Sequence, residues 1–577
     1  MSAAKHKPSI PIEEVAQRPL PGMAIPGSFE FSPDDNLITY LFSPELNLVR
    51  QLYVYDIQKD EHRLMLAPPM GGVREEELSI EEALRRERMR QLELGITQYA
   101  WSNSTGRLLL PTRGDIYIID SPGDEFRKLL VSDGKPAIDA HFSPDGDWVS
   151  FVQNAELFVV PVTGGQPRQL TSGARETGMT NGLAEFVAQE EMHRRRGYWW
   201  SPDTQWLAFV EVDETHIPIY RIMHQGKNYT GEGAQEDHRY PFAGKENARV
   251  RLGVVSLDGG DPIWMDLGSD KDIYLARVAW FPDGRLCAQL ENRQQTKLDL
   301  VTFDPLTGKR TTLLTESSDV WINLHDMFKP LKSPYQDHEG CFIWASERTG
   351  YQHLYFYDAD GALIRQLTNG DWIVDELIGV DEESGLVYFV AALHDVRERH
   401  LYVISLAGGE PRRITHETGT HTVVMDNARK RFVDIHHTLE MPPKIILRSL
   451  EDGSLITILY DQQDPRVSHL SLHPPELVKL HNRKGDTLYG AIYHPPKFFG
   501  KGPHPTLVYV YGGPHAQMVI NSWTTTANMR LQYLAEHGFI TFMLDNRGSA
   551  RRGLAFEGVI KNDMGHYEVE DQVDGVR

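Results

Sequence analysis

The chain has 577 residues, of which 40% are hydrophobic and 10% aromatic. It is therefore too long for one ordinary domain and can form sizeable cores. Its formal net charge of -22 argues against nucleic acid as a partner, because no basic surplus offsets phosphate repulsion. The two cysteines, Cys287 and Cys341, lie in apolar, strand-like sequence, so we expect buried thiols and neither a disulfide framework nor a metal site.

The amino-terminal sequence lacks the apolar segment of a secretory signal. No apolar run in the sequence is long enough to span a bilayer. The expected location is the cytoplasm, with no membrane partner.

A turn of the aromatic-Ser-Pro-Asp type recurs along the first 470 residues, each time followed by an alternating strand and a Tyr-rich strand. The copies begin at Phe31, Trp101, Phe142, Trp200, Trp280 and Trp344, and two further copies start near Val380 and Met425. About eight units at irregular spacing are typical of propeller blades that carry insertions. Residues 1–470 are therefore predicted to form an eight-bladed β-propeller. An array of β-sandwiches is the alternative, which the shared turn disfavours.

Two helical insertions are predicted within the blades, near residues 74–94 and 182–197. The first opens with a capping box formed by Ser79 and Glu82. The polar, Gly-containing segment 225–248 is predicted to be a loop.

The second helical insertion carries two adjacent carboxylates, Glu190 and Glu191. Like charges side by side resist ionisation unless a cation lies between them. The simplest interpretation is a solvated helix face, supported by the basic run that follows at residues 194–196. A bound cation is the alternative.

The sequence pattern changes after residue 470. Strands are predicted over 477–493 (a hairpin), 505–511 and 539–544, with helices over 531–537 and 567–577. The two single strands are apolar throughout, which is typical of buried strands. This order predicts the beginning of an α/β sheet over residues 471–577.

Four motifs give the chain a resemblance to a known family. They are Glu185-Phe186-Val187-Ala188-Gln189-Glu190-Glu191, Tyr198-Trp199-Trp200-Ser201-Pro202-Asp203, Val510-Tyr511-Gly512-Gly513-Pro514 and Glu568-Val569-Glu570-Asp571-Gln572. With them the chain resembles the dipeptidyl-peptidase IV branch of the prolyl oligopeptidase family of serine peptidases, most closely its bacterial members. The resemblance implies an all-β eight-bladed propeller followed by an α/β-hydrolase domain. It also implies release of Xaa-Pro or Xaa-Ala dipeptides from peptide amino termini, without a metal or organic cofactor.

The resemblance also implies roles for individual residues. Glu190 and Glu191 match the family motif that binds the free α-amino group of a peptide substrate. Adjacent helical residues do not face one another, so both can reach one amine only at a helix end or a distortion. Tyr511 matches the tyrosine of the oxyanion hole, the alternative being a core tyrosine at a strand end.

The family also uses an arginine from the propeller side to hold a substrate carbonyl. The predicted first helix offers Arg85, Arg86, Arg88 and Arg90, of which Arg88 is our choice. A solvated charged face is the alternative for these four side chains.

The chain departs from the family at the nucleophile. The family serine lies in a Gly-x-Ser-x-Gly turn, which this sequence does not contain. Because the triad of α/β-hydrolases runs Ser, Asp, His along the chain, all three residues are expected beyond residue 577. The chain is thus expected to be a fragment, a truncated product or half of a split enzyme, and inactive by itself.

Two functions follow from these expectations. One is a serine-type dipeptidyl peptidase, whose full-length parent forms homodimers in many family members. The other is a non-catalytic module that binds peptide amino termini or a protein partner.

Overall fold

Eight sheets, six of four strands and two of five, follow one another along the chain, and their long strands pair antiparallel, which confirms the predicted propeller. The computed structural model describes residues 10–74, 78, 80–174, 178–224, 234–336 and 338–577. Blades 1 to 3 comprise β1 (Gly27–Phe31), β2 (Leu37–Phe42), β3 (Val49–Asp56), β4 (Glu61–Leu66), the short β5 (Leu94–Gly95) that pairs with β3, β6 (Ala100–Trp101), β7 (Leu108–Thr112), β8 (Asp115–Ile119), β9 (Arg127–Leu130), β10 (Ile138–Phe142), β11 (Trp148–Gln153), β12 (Glu156–Pro161) and β13 (Arg168–Gln169).

The fourth blade contains five strands and carries a separate two-stranded hairpin. Its strands, in chain order with that hairpin (β17 and β18), are β14 (Met179–Asn181), β15 (Tyr198–Trp200), β16 (Trp206–Asp213), β17 (Ile219–Met223), β18 (Gln235–Arg239), β19 (Arg249–Ser256) and β20 (Ile263–Trp264). The predicted loop over 225–248 is therefore wrong for 235–239, where backbone pairing with β17 gives a strand despite the polar sequence. Residues 225–233 lie outside the described part.

Blades 5 to 8 have four strands each. They comprise β21 (Ile273–Trp280), β22 (Leu286–Asn292), β23 (Lys297–Phe303), β24 (Arg310–Ser317), β25 (Lys329–Pro330), β26 (Phe342–Ser346), β27 (His353–Tyr357), β28 (Leu363–Gln366), β29 (Val374–Asp381), β30 (Leu386–Ala391), β31 (His400–Ser405), β32 (Arg412–Arg413), β33 (Thr420–Met425), β34 (Arg431–His437), β35 (Lys444–Ser449) and β36 (Leu455–Tyr460).

The recurring Ser-Pro-Asp turn joins the first two strands of a blade. In blade 1 the Ser32 hydroxyl donates to Asp34 (2.6 Å) and accepts the N–H of Leu37 (3.0 Å). The same pair of bonds recurs in blades 3 and 4. The predicted copy at Trp344 differs, because its turn joins the second and third strands of blade 6.

The propeller core is divided into eight apolar clusters, each shared by two neighbouring blades. Between blades 6 and 7, for example, Phe356 belongs to the same cluster as Phe389. The ring is closed by a cluster in which Phe31 of blade 1 joins Val433 of blade 8. Both faces of a blade are thus buried by its neighbours. Cys287 and Cys341 are buried free thiols, as expected.

Two helices project from the propeller blades. Helix α1 (Ile80–Arg88) follows blade 1 and α2 (Phe186–Glu190) lies within blade 4; both are shorter than the predicted insertions. Ser79, the first residue of the predicted capping box, lies outside the described residues. A 3₁₀ turn, Pro69–Gly71, lies between β4 and α1.

The carboxyl-terminal part forms a mixed four-stranded sheet with the order β37-β38-β40-β39. Its strands are β37 (Glu476–His481), β38 (Thr487–Tyr493), β39 (Thr506–Tyr509) and β40 (Ile540–Asp545), and its helices are α3 (Pro465–His469), α4 (Trp523–Thr526), α5 (Met529–Glu536), α6 (Leu554–Glu557) and α7 (Tyr567–Val576). Strands β39 and β40 run parallel, as the sequence predicts. The 3₁₀ turns Lys497–Phe499 and Gly558–Ile560 complete this part.

Strand β39 was predicted to be buried, and this is wrong. Thr506 is exposed and the next three residues are only half-buried. The reason is the strand order, which puts β39 at an edge of the sheet with β40 on one side.

The segment before blade 1 packs against the carboxyl-terminal part, although the sequence assigned it to the propeller. Its 3₁₀ turn spans Ile12–Val15. Ile10 shares an apolar cluster with Leu470 and Met529, and Trp523 Nε1 donates to the carbonyl of Pro21 (2.9 Å). The chain segments before blade 1 and after blade 8 therefore both pack in the carboxyl-terminal part of the protein.

Polar side chains of blade 7 join the propeller to the carboxyl-terminal part. The Asp375 carboxylate binds Arg551 (2.5 Å), and Asn521 Nδ2 donates to Glu398 (2.9 Å). The Asn521 N–H also donates to the carbonyl of Arg397 (2.9 Å). None of the helices in the described ranges is long and apolar enough to cross a lipid bilayer.

A buried aspartate holds the seam between blades 8 and 1. The Asp35 carboxylate accepts the backbone N–H groups of Asn427 (2.9 Å) and Ala428 (2.7 Å), together with the Asn427 side-chain amide (2.8 Å). No strand is exchanged across this seam in the described part of the chain, so these bonds, with those that Asn427 and Arg431 donate to the carbonyls of Ser32 (3.0 Å) and Asp35 (2.9 Å), supplement the apolar packing.

We therefore expect Asp35→Ala to destabilise the propeller by about 1–3 kcal/mol or more, because buried donors lose their acceptor. Asp35→Asn should lie between it and the parent chain, since asparagine keeps one acceptor and tolerates the φ of 57°. Thermal unfolding followed by circular dichroism measures both. The control is Asp34→Ala, whose carboxylate bonds only inside its own turn. Equal shifts at the two positions would contradict the role of the seam.

Candidate active site

Helix α2 lies on a loop that interrupts the first strand of blade 4. Strands β14 and β15 both pair with β16, and residues 182–197 leave the sheet between them. The loop is closed at its base, where Gly182 and Gly197 meet back to back. A Cβ on Gly197 would lie 2.4 Å from the backbone of Gly182, so only glycine permits this approach.

A buried ion pair packs next to α2 and supports it. Glu185 caps the helix by accepting the N–H of Ala188 (2.8 Å), and its carboxylate lies 3.8 Å from the Arg194 guanidinium. Burial raises the pKa of Glu185, and the charge of Arg194 opposes that rise. Arg194 also donates to the carbonyl of Leu275 in blade 5 (2.9 Å). The loop is thus fixed to the neighbouring blade.

The structure places Glu190 and Glu191 at the carboxyl end of α2. Glu190 is the last helical residue and Glu191 is the C-cap, with φ -99° and ψ -34°. This is the helix end that the sequence argument required. Glu190 is half-buried and Glu191 exposed. Within the described ranges, neither carboxylate forms a hydrogen bond or a salt bridge.

Arg88, the arginine chosen from the sequence, lies against α2. Its guanidinium donates to Gln189 Oε1 (3.2 Å) and lies over the ring of Phe186, 5.0 Å from the centroid. Burial lowers the pKa of Arg88, and the carboxylates of Glu214 and Glu190 counteract this effect. An arginine stays charged nonetheless. A cation therefore lies against α2, and two carboxylates without a hydrogen-bonded partner among the described residues lie at its carboxyl end.

The other arginines of α1 hold the helix in place. Arg85 binds Asp139 of blade 3 (3.4 Å), and buried Arg86 donates to the carbonyls of Gln91 (3.3 Å) and Glu93. Arg90 is exposed. The choice of Arg88 among the four thus agrees with its orientation, although its contact with substrate stays a prediction.

Tyr511 lies two residues beyond the end of β39, on the carboxyl-terminal part. Its side chain is 62% exposed, so it is not a core tyrosine. No hydrogen bond or ion pair joins it to Arg88, Glu190 or Glu191 in the described part of the chain. Its oxyanion role stays a prediction.

Nearby, Asp545 accepts the N–H groups of Met518 (2.7 Å) and Val519 (3.0 Å), and burial raises its pKa to about 6. Arg547 is engaged by Asp571 (2.9 Å). Both residues therefore shape loops.

Sequence reasoning missed two supporting residues of the site, Glu185 and Arg194. The position of Glu185 directly before an apolar helical segment was an available signal for a cap. Nothing in the sequence indicated that Arg194 is buried, because it belongs to a run of three arginines.

Comparison with known proteins agrees with this architecture. A family model described as the dipeptidyl peptidase IV (DPP IV) N-terminal region matches residues 97–443, and one for the prolyl oligopeptidase family matches residues 524–577. Dipeptidyl peptidase 8 of Homo sapiens is 28% identical, over 94% of this chain and 72% of its own length. Dipeptidyl peptidase 8 of Mus musculus is 30% identical, over 86% of this chain and 66% of its own length.

Among solved structures, dipeptidyl peptidase 4 of Porphyromonas gingivalis superposes with a TM-score of 0.82. It is 22% identical, and the match covers 99% of this chain and 78% of that one. This likeness bears on the fold. The first family model matches more than half of the residues, so the chain belongs to the dipeptidyl peptidase IV family. The relatives named above are dipeptidyl peptidases.

The closed base of the α2 loop yields a prediction. Gly197→Ala should force the two ends of the loop apart and cost about 1–3 kcal/mol of local stability, because the added methyl group overlaps backbone atoms. Faster hydrogen exchange of the Ala188 and Glu191 amides, which the intact loop protects, would report this. Gly27→Ala is the matched control, since a Cβ there meets no atom within 4 Å. Unchanged exchange in Gly197→Ala would show that the base does not hold α2.

Proposed function

We propose that this chain recognises peptides through their free amino terminus and supplies the substrate-binding part of a dipeptidyl peptidase. The observation that carries the proposal is the pair Glu190 and Glu191, whose carboxylates have no hydrogen-bonded partner among the described residues. They lie at the end of a helix that Glu185 caps and the Glu185–Arg194 ion pair supports. An ammonium group between them would relieve their mutual repulsion. Each charge-assisted contact would contribute about 1.5–3 kcal/mol.

Arg88 of α1 supports the same assignment. Its guanidinium has donors beyond the one that Gln189 accepts. We propose that one of them binds the carbonyl oxygen of the peptide. The Arg88 guanidinium would then hold that carbonyl at a set distance from the site that binds the amine. Such a fixed distance is required for removing a dipeptide.

Tyr511 is the proposed oxyanion donor. Its exposure at the end of β39 leaves the hydroxyl free to approach a bound carbonyl. A donor in that place stabilises the charge of the tetrahedral intermediate, and its loss typically costs about 10²–10³ in rate.

We propose that the 577 residues by themselves bind peptide without hydrolysing it, because they contain no Gly-x-Ser-x-Gly turn. The second candidate function, a non-catalytic peptide-binding module, rests on the same observation.

Release of a chromophore from a Gly-Pro amide would support the peptidase, provided that Glu190→Ala/Glu191→Ala abolishes it. The cytoplasmic location stays a prediction.

The double variant Glu190→Gln/Glu191→Gln is expected to weaken binding of a Gly-Pro peptide at least about tenfold, because glutamine keeps the shape and removes both charges. Isothermal titration calorimetry measures the affinity. Binding to the parent chain should also fall above about pH 8, where the peptide amine loses its proton.

Two controls make this result specific. An amino-acetylated peptide of the same sequence should bind the parent chain as weakly as the free peptide binds the double variant. The exposed Glu451→Gln should change nothing. Equal affinity for free and acetylated peptides would rule out recognition of the amino terminus.

We further propose that the chain forms a homodimer through the β17–β18 hairpin. Its strands pair only with each other in the described part of the chain. Three of its apolar side chains are exposed by 49% or more: Ile219, Tyr220 and Met223. Apolar groups gathered on a projecting element are typical of protein interfaces.

Ile219→Asp/Met223→Asp should therefore convert a dimer to a monomer in sedimentation velocity, because buried charges oppose association. Leu306→Asp is the control, being equally exposed on another blade. A monomeric parent chain, or a variant that still dimerises, would disprove this interface.

A further inference from the structure

Residues far apart in the sequence meet below the Tyr511 loop, by which we mean residues 510–517. Asn323 follows blade 5, Glu347 belongs to blade 6 and Glu557 ends α6. Asn323 Nδ2 donates to Glu347 Oε2 (2.9 Å) and to Glu557 Oε2 (3.0 Å). One amide group therefore bridges two carboxyl groups from the two parts of the protein.

The orientation of this amide is fixed from its other end. Trp321 Nε1 donates to Asn323 Oδ1 (3.1 Å), which places the amide nitrogen toward the carboxyl groups. The second oxygen of Glu557, Oε1, accepts the backbone N–H of His515 (3.1 Å). The His515 ring packs edge to face on Trp321, at 6.2 Å between centroids, which closes a circuit of contacts.

Two hydrogen bonds hold the backbone of the Tyr511 loop within the described residues: the His515 N–H donates to Glu557, and the Ala516 carbonyl accepts the N–H of Ala550 (3.0 Å). Within the described part of the chain, His515 has the one hydrogen-bonded backbone N–H of residues 510–517. Gly512 and His515 have φ values of 81° and 61°, so the loop has no regular structure to restrain it. The carboxylate that holds it is only 3% exposed and so has one defined position.

We propose that Asn323 is a positioning residue for Tyr511. It fixes Glu557, which fixes the His515 amide and with it the loop that carries the tyrosine hydroxyl. This inference rests on the proposed oxyanion role of Tyr511. It implies that the propeller sets the geometry of the reaction site across the interface, in addition to binding the peptide.

The bridge is expected to respond to pH. Burial, and then the neighbouring Glu557 carboxylate, raise the pKa of Glu347 to about 7. A raised pKa means that the folded state holds this proton more tightly, so the stabilisation is complete below the ordinary value of 4.5 and is lost as pH rises through about 7. Asn323 and Glu347 line a cavity. The other charged or titratable side chains that line it are Glu316, His325 and Arg348.

Asn323→Asp tests the proposal, because it keeps the shape and replaces the donor by a third carboxyl group. The protection of the His515 amide from hydrogen exchange should fall about tenfold or more at pH 8, relative to an unstructured reference peptide. A fluorotyrosine placed at position 511 should show a broadened fluorine resonance in the same variant. An unchanged His515 amide or an unchanged resonance would overturn the proposal.

Asn482→Asp is the matched control. Asn482 Nδ2 also bridges two carboxylates, Asp486 (3.1 Å) and Asp571 (2.9 Å), away from the Tyr511 loop. It should leave the His515 amide protected. Loss of that protection would mean that carboxylate crowding acts through general destabilisation, which would also overturn the proposal.

Glu347→Gln decides the question if Asn323→Asp does not fold. Glutamine keeps an acceptor for Asn323 and cannot ionise, so the protection of His515 should become independent of pH between 6 and 8. A pH profile identical to that of the parent chain would overturn the proposal. These readouts use no peptide, so they stand or fall separately from recognition of the amino terminus.

Discussion

A propeller blade has two apolar faces and no interior of its own, and the rest of this structure depends on that constraint. Each blade is stable only between two neighbours, so the eight inter-blade clusters must close into a ring. The side chains of the strands are consequently used for packing between blades. Chemistry is left to segments that leave the sheets, which is why α1, α2 and the Tyr511 loop carry the proposed site.

Such segments need supports that the sheets do not provide, and in each case the support is polar and includes at least one buried carboxylate. Arg85 binds Asp139 under α1, Glu185 binds Arg194 under α2, and Asn323 bridges Glu347 and Glu557 under the Tyr511 loop. Breaking a buried pair leaves an uncompensated charge, which costs about 3–5 kcal/mol. These supports therefore fix the geometry of the site more strictly than surface contacts would.

The sequence predicted what depends on local pattern. The Ser-Pro-Asp turns identified the blades because the same side-chain bonds close each hairpin. The roles of the double glutamate and Tyr511 come from the family resemblance and stay predictions. The sequence did not show that β39 lies at a sheet edge, that residues 235–239 form a strand, or that the segment before blade 1 packs on the carboxyl-terminal part. Each of these depends on pairing or packing with residues distant in the chain. The bridge at Asn323 is another such case, since it joins residues 234 positions apart.

The central claim is that the end of α2 receives a peptide amino terminus. A crystal structure of the chain with a bound Gly-Pro peptide tests it most directly. The account predicts the ammonium nitrogen within hydrogen-bonding distance of both Glu190 and Glu191, with a peptide carbonyl oxygen on Arg88. A peptide bound with its amine away from α2, or with Arg88 still engaged only by Gln189, would contradict it.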